Sequence, residues 1–514
     1  MSSPQDTHDH HASVIREAIT QPSQYGLRQR MGAVLGPICL IATLLLPAPA
    51  GLSVAGWHTA GVAVLMAIFW ISEAVPIPVT ALLPLVLFPA LHLADIKVAA
   101  APYANPLIFL FFGGFIIALA MQKTNLHRRV AINLIAVMGT QPARIIAGFL
   151  LASALVSMWV SNTATTLMML PIATSVVLLI PTASRDGVGM KHFGTALLLA
   201  VAYGATTGGM ATLIGTPPNA LLAGYLNSVY HTNIGFGQWM LLGVPVTLIT
   251  LPIVYWVLTR VAFKLPRQKL PGMQELINTE RSTLGRFSRG EIIVTIVFGL
   301  TAACWITQPL LAKALPMLSD TTIAMTGAIL LFVIPLNLAR GEFVMDWAAT
   351  KGLPWDVLLL FGGGLSLAGN IQTHGLAVYL GELCQGLQGL PILLTLAIIC
   401  FGILMLTELT SNTATAATFL PIVGAIALSL GQNPLLFLIP TALAANCSYM
   451  MPVGTPPNAI VFGSGLITLP QMARTGFLLN VLLLPIIIGL VWLLGPMVFG
   501  IEFNQIPSWA IPTP

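Results

Sequence analysis

Apolar residues in this chain come in long runs rather than in alternation, and the runs are apolar on every side. About ten of them reach the ~20 residues an α-helix needs to cross a hydrocarbon core ~30 Å thick. A first helix is predicted over 33–50, then spans near 54–72, 76–94 and 104–122. Further spans are predicted near 194–226, 238–260, 291–308, 321–338, 354–371, 434–465 and 475–498. Strands of a β-barrel would alternate apolar and polar residues, and these runs do not. The pattern predicts an all-α polytopic membrane protein.

Two polar interruptions break the pattern. Ser161, Asn162 and Thr163 open SNTATTLMMLPIA between the apolar stretches IIAGFLLASALVSMWV and TSVVLLI. SNTATAATFLPIV, from Ser411, matches that segment at eight of thirteen positions. GTPPNALL from Gly215 returns as GTPPNAIV from Gly454, and FFGG at 111–114 returns as LFGG at 360–363. The order is the same in both halves, so the chain contains an internal repeat.

Each polar triplet lies in the middle of a segment of about 40 residues, too long for one span of ~20 residues. A re-entrant hairpin with SNT at its tip fits that length. Each repeat then crosses the membrane five times, and an odd number inverts the second repeat relative to the first. The expected architecture has about 11 transmembrane helices in two inverted-topology repeats. Each repeat carries a re-entrant hairpin and a helix broken at Gly215–Pro218 or Gly454–Pro457.

Charge tests this layout. Only 7% of the 514 residues are charged and 56% are hydrophobic, against roughly 25% charged in soluble domains. The mean hydropathy is +0.90. With the amino terminus cytoplasmic and the carboxy terminus outside, all of the 21 Lys and Arg except Lys97 and Lys313 fall in cytoplasmic segments. Seven lie within Arg260–Arg289 and none after residue 500. That asymmetry follows the positive-inside rule, and single crossings in place of hairpins would break it. The net charge of +5 is therefore a topology signal, and no nucleic-acid partner is implied.

Cys39, Cys304, Cys384, Cys400 and Cys447 are scattered singly in apolar surroundings, as buried thiols are. The first 30 residues are polar, without an h-region or an A-x-A site, so no cleaved signal peptide is expected. His8, His10 and His11 belong to that solvated tail.

Polar groups at membrane depth are costly unless they are paired or line an aqueous cavity. Ser, Thr and Asn also serve as interhelical glue. Here, however, the triplet occurs twice at corresponding places, each followed by a break at Gly-Thr-Pro-Pro-Asn. Pro217 and Pro218 lack N–H groups and leave nearby carbonyls without donors. Carbonyls, amide oxygens and hydroxyls at such breaks suit Na⁺, while the helix N-termini there suit an anion.

No Lys or Arg is expected in the core of any span, so bound Na⁺ would supply the countercharge for an anion. A membrane-embedded enzyme would need a nucleophile with its base, or a His/Asp/Glu metal set, at that depth. The spans contain almost no His or acid. A channel fits less well than alternating access, which broken-helix repeats favour.

The tandem SNT…GTPPN motifs, together with CSYMMPVGTPPNAIV at 447–461, resemble the divalent anion/Na⁺ symporter family. That family includes the dicarboxylate and citrate transporters called INDY. The resemblance covers the chain after residue 30. It implies a homodimer in the bacterial inner membrane, importing di- or tricarboxylates of the succinate, malate and fumarate class. Na⁺ would be the co-transported ion, with no organic cofactor. The alternatives are a Na⁺-independent dicarboxylate exchanger and a sulfate-type divalent anion symporter.

The resemblance also implies a fixed scaffold domain and a transport domain that moves as an elevator. After a cytoplasmic tail (1–32), the scaffold would take 33–130 and, with a cytoplasmic loop, 266–385. The transport domain would take 131–265 and 386–514. One Na⁺ would be held by Ser157, Ser161, Asn162 and Gly215, and a second by Thr407, Thr410, Asn412 and Gly454. Ser157 and Thr407 each lie four residues before their SNT, one helical turn away. Substrate carboxylates would meet Asn162, Thr163, Thr216 and Pro217 from one side. Asn412, Thr413, Thr455 and Pro456 would meet them from the other. Glu408 stands where the first half has Met158; it is expected to be a structural acid bonding hairpin backbone, and so is Glu73 at a span end.

Overall fold

The structure, a computed structural model, describes residues 25–179, 188–266, 268, 270–383, 386 and 389–510. The histidine-rich tail and Cys384 lie outside the described residues. The other four cysteines are free thiols, with Cys400 and Cys447 buried.

The apolar runs fold as helices: α1 (Leu27–Leu45), α2 (Val54–Ser72), α3 (Ile77–Thr80), α4 (Leu83–Ala90), α5 (Ile96–Ala100) and α6 (Pro106–Lys123). The amphipathic α7 (Leu126–Met138) leads to a helical hairpin, α8 (Pro142–Ser157) and α9 (Asn162–Leu178). A broken helix follows, α10 (Val188–Gly209) and α11 (Pro217–Tyr230), and then α12 (Phe236–Trp256).

After α13 (Met273–Leu284) the order repeats with α14 (Arg289–Ala314), α15 (Asp320–Val333), α16 (Trp355–Thr373) and α17 (Leu376–Leu383). The second hairpin is α18 (Ile392–Thr407) and α19 (Asn412–Ser429). The second broken helix is α20 (Pro434–Asn446) and α21 (Pro456–Phe462), followed by α22 (Leu469–Phe499). A two-stranded ribbon adds a little β-structure to the expected all-α fold: β1 (Pro335–Asn337) lies antiparallel to β2 (Glu342–Phe343), with Pro335 opposite Phe343.

Six helical stretches among the described residues are long and apolar enough to cross a membrane, including Val54–Ser72, Phe236–Val261 and Leu469–Phe499. Hairpin arm α19 is one of the six, whereas α8, α9, α18 and α20 belong to the shorter apolar helices of 10–17 residues. The run predicted as one span over 76–94 divides at Ala81–Leu82 instead. Pro84 has no N–H to give the carbonyl four residues back, and its ring crowds that turn.

Helices α10 and α20 form the centre. Every residue from Phe193 to Thr216 and from Gln432 to Tyr449 is buried, as expected of helices apolar all round. Hairpin arm α8 lies directly on α10. A Cβ at Gly208 would collide with the Ala154 carbonyl oxygen. Small residues permit such backbone approach, and here it fixes the hairpin tip against the helix break.

Amphipathic α7 and α13, which the apolar runs do not predict, are held by ion pairs. Arg129 Nε lies 2.6 Å from Glu291 Oε1, with both side chains more than nine-tenths buried. Arg129 also donates to the carbonyls of Leu284 (2.9 Å) and Gly285 (3.1 Å). Arg128 pairs with Glu280 at 2.7 Å. Removing one partner of a buried pair leaves an uncompensated charge and costs about 3–5 kcal/mol. Arg129→Ala is therefore expected to lower the unfolding free energy of the detergent-purified protein by that order, and Arg128→Ala much less. Equal thermal shifts for the two variants would contradict the assignment.

Candidate functional site

Both hairpin tips and both helix breaks meet at one cavity of about 1190 Å³. Its lining includes Ser161, Asn162 and Thr163 from one tip and Ser411, Asn412 and Thr413 from the other. The breaks contribute Gly215, Thr216 and Pro217, and Gly454, Thr455 and Pro456. Tyr25, Gln29, Glu73 and Asp356 also line it, and none of its lining residues is Lys or Arg.

The SNT residues stand at helix starts for a local reason. In the first hairpin, α8 ends at Ser157 and the chain turns through Met158–Val160 before α9 begins at Asn162. Ser161 caps α9, its hydroxyl oxygen accepting the Ala164 N–H at 3.3 Å. Helices α11 and α21 start at proline pairs, whose missing N–H groups are tolerated only in a first turn. Four helix N-termini therefore border the cavity, each carrying partial positive charge.

Two oxygen clusters flank it. Around Asn162, the Ser157 hydroxyl lies 2.5 Å from Asn162 Oδ1. A Cβ at Gly209 would stand 2.6 Å from that same oxygen and 3.1 Å from the Gly215 carbonyl oxygen, so backbone crowds the amide. Around Asn412, the Thr407 hydroxyl lies 2.7 Å from the amide and 2.8 Å from the Ala445 carbonyl oxygen. The same end of the amide is 3.2 Å from Ala445 O and 3.1 Å from Gly454 O.

Amide orientation decides what this second cluster is. With nitrogen inward, the amide donates to all three neighbours. With oxygen inward, four oxygens converge and only the Thr407 hydroxyl brings a proton, a donor set suited to a hard monovalent cation. Turning the oxygen inward directs the N–H₂ the other way.

The structure brings together most of the predicted residues. Ser157, Asn162 and Gly215 form one group and Thr407, Asn412 and Gly454 the other, while Thr163, Thr413, Pro217 and Pro456 line the cavity. Two side chains are engaged elsewhere. Thr410 pairs with Thr415 (2.7 Å) and the Leu406 carbonyl (3.0 Å), and Ser161 caps its helix. Thr216 donates to Asn446 Oδ1 at 2.7 Å.

Sequence reasoning misses the residues that hold the breaks open. Asn219 Nδ2 gathers the carbonyls of Gly209, Met210 and Thr212, at 2.9–3.4 Å. Asn458 Nδ2 does the same for Ser448 and Met451, both at 3.1 Å. Their signal was present, since each closes a GTPPN motif. Glu408 bonds backbone as expected, but that of the second break rather than of its own hairpin. Its carboxylate accepts the N–H groups of Tyr449 (2.8 Å), Met450 (2.9 Å) and Met451 (3.0 Å), and Asn480 Nδ2 at 2.6 Å. Glu73, which lines the cavity, pairs with Arg28 at 3.3 Å.

The family model for the sodium:sulfate symporter transmembrane region matches residues 29–501. The chain belongs to this family. A sodium-dependent dicarboxylate transporter, SdcS, of Staphylococcus saprophyticus is 43% identical over 495 residues, covering 94% of each chain. SdcS of Staphylococcus aureus is 42% identical over 484 residues, covering 93% of each. Among solved structures, MtrF of Neisseria gonorrhoeae, described as one of a class of antimetabolite efflux pumps, shares the fold. Its TM-score is 0.55 at 11% identity, covering 93% of this chain and 97% of that one. Membership in the sodium:sulfate symporter family makes the protein a polytopic membrane transporter rather than an enzyme.

Within this member of the family, Glu408 is expected to be needed for integrity of the second break. Glu408→Ala would leave three consecutive N–H groups without acceptors, each costing about 1–3 kcal/mol. Thermal unfolding of the purified protein should show a large loss for Glu408→Ala and a smaller one for Glu408→Gln, which keeps one acceptor oxygen. A Glu408→Ala protein as stable as the wild type would remove this role.

Proposed function

We propose that the protein is a Na⁺-coupled symporter importing small dicarboxylates of the succinate, malate and fumarate class. The observation that carries the reading is the cavity bordered by four helix N-termini and two oxygen clusters, without a basic side chain. Asn162 with Ser157 and Gly215, and Asn412 with Thr407 and Gly454, would each hold one Na⁺. Thr163, Thr413 and Thr455, with both Asn amide N–H₂ groups, would receive the carboxylates, while the single hydroxyl proton of Thr216 is committed to Asn446. Two Na⁺ neutralise a dianion that the protein itself gives no fixed countercharge. The relatives named as sodium-dependent dicarboxylate transporters support both the ion and the substrate class.

The inverted repeat and the positive-inside charge pattern support eleven crossings with the amino terminus in the cytoplasm. In that orientation the cavity mouth, at Tyr25, Gln29 and Glu73, faces the cytoplasm, and the structure corresponds to an inward-facing state. The close packing of α8 on α10 supports movement of hairpin and broken helix as one body, the transport domain of an elevator carried by a scaffold of 33–130 and 266–385. A homodimer in the bacterial inner membrane completes the reading.

Purified protein in liposomes tests it by uptake under imposed Na⁺ or counter-substrate gradients. Asn162→Ala and Asn412→Ala should each reduce succinate uptake at least about tenfold while leaving the protein folded, because each removes a cation oxygen and an anion donor together. Near wild-type uptake by either variant would overturn the assignment.

Coupling gives a second measurement. Exchanging Na⁺ for choline should weaken succinate binding by about 5–150-fold, and succinate should tighten Na⁺ binding by the same factor. Equal affinity in the two salts, with uptake driven only by internal anion, would favour the exchanger instead.

A further inference from the structure

Each half of the molecule holds the helix break of the other half. Asn446, the last residue of α20, accepts the Thr216 hydroxyl at 2.7 Å and donates to Asn219 Oδ1 at 2.9 Å. Both partners belong to the first break. In return, Tyr203 and Thr207 of α10 reach the second break, Tyr203 donating to the Tyr449 carbonyl at 2.8 Å. Thr207 pairs with the Tyr449 hydroxyl at 3.0 Å.

The two clamps are not equivalent. In the register that aligns Gly215–Asn219 with Gly454–Asn458, Asn446 corresponds to Thr207. Asn446 grips the asparagine of the GTPPN motif opposite it. Thr207 bonds Tyr449 instead, and Asn458 Oδ1 is left buried without a hydrogen-bond partner.

Asn446 also sits between the two oxygen clusters. The carbonyl immediately before it, on Ala445, belongs to the Asn412 cluster. Its side chain fixes Thr216, whose neighbour Gly215 has its carbonyl oxygen beside Gly209, the residue that also borders the Asn162 amide. Asn446 is 1% exposed and does not line the cavity. It is thus a positioning residue, which acts through Thr216 in the cavity lining.

We infer that Asn446 couples the two cation sites, so that filling the Asn412 cluster orders the Asn162 cluster for the next ion. A cation drawing the Ala445 carbonyl inward fixes the end of α20. The Asn446 amide then holds Thr216 and Asn219, and through them the Gly215 carbonyl, in the liganding position. The route is short and buried, and it runs through one side chain. This rests on the symport reading above.

The experiment is Na⁺ activation of succinate uptake in proteoliposomes. The wild type should give a sigmoidal curve with a Hill coefficient near 2, as expected for two coupled sites. In Asn446→Ala the coefficient should fall towards 1, and half-saturating Na⁺ should rise about fivefold or more. Because Asn446 also holds the hydroxyl of Thr216, which lines the cavity, the Hill coefficient and not the KM for succinate is the readout. Asn446→Thr, which installs the residue of the pseudo-equivalent position, should behave alike and carries the test if the alanine variant does not fold. Tyr449→Phe removes the Thr207 contact of the opposite clamp, leaving the Tyr203 bond to the Tyr449 carbonyl, and should keep the wild-type coefficient.

A merely structural role would lower the amount of folded carrier and the maximal rate without changing the shape of the curve. A Na⁺-dependent wild type with an unchanged coefficient in the Asn446 variants overturns the inference alone. So does a hyperbolic wild-type curve, or an equal loss of coefficient in Tyr449→Phe. Uptake indifferent to Na⁺ removes the symport reading as well.

Discussion

A backbone polar group in apolar surroundings has to find a partner, and this site depends on how two interrupted helices meet that demand. Each break releases several carbonyls and N–H groups that an uninterrupted helix would have paired within itself. Asn219 and Asn458 collect the carbonyls with their side-chain amides. With those groups satisfied, the chain can stop one helix and start another inside the protein. The Gly454 carbonyl oxygen then lies 3.1 Å from the Asn412 amide, and the Gly215 carbonyl oxygen lies beside Gly209, which borders Asn162.

The two halves meet the same demand with different chemistry. At the first break the Thr212 hydroxyl donates to the Met158 carbonyl at 2.6 Å and accepts the Gly215 N–H at 3.0 Å. At the second, a carboxylate does the work of that hydroxyl. Glu408 accepts three successive N–H groups, with Asn480 as an additional donor from α22. A hydroxyl both donates and accepts, whereas a carboxylate only accepts, so the first loop is tied through one carbonyl and one N–H and the second through N–H groups. Sequence duplication therefore yields two clusters alike in their motif residues and unlike in what supports them.

Much of this was legible in the sequence, and the limits follow from the range of each signal. Spans, hairpins and breaks are written in local composition: apolar runs, a polar triplet between them, and a proline pair that no helix interior accepts. The residues gathered at the cavity come from those same motifs. What stayed hidden depends on distant partners. Helix α7 has too short an apolar face to register as a span, and its place depends on Arg129 meeting Glu291 across 162 residues. Thr410 stands beside the triplet in sequence, yet its hydroxyl turns to Thr415. Asn446 looks like any polar residue at a helix end until Thr216 and Asn219 are folded against it.

The proline pairs that open α11 and α21 have one more effect. A helix N-terminus normally offers an anion both a positive pole and a ring of exposed N–H donors. With Pro217 and Pro218, and Pro456 and Pro457, at the first two positions, two of those donors are gone from each broken helix while the pole remains. These helices can attract negative charge but cannot grip its oxygens through their first peptide groups. Directional contact with a bound anion would therefore fall to the hairpin tips, whose helices open without proline, and to threonine hydroxyls.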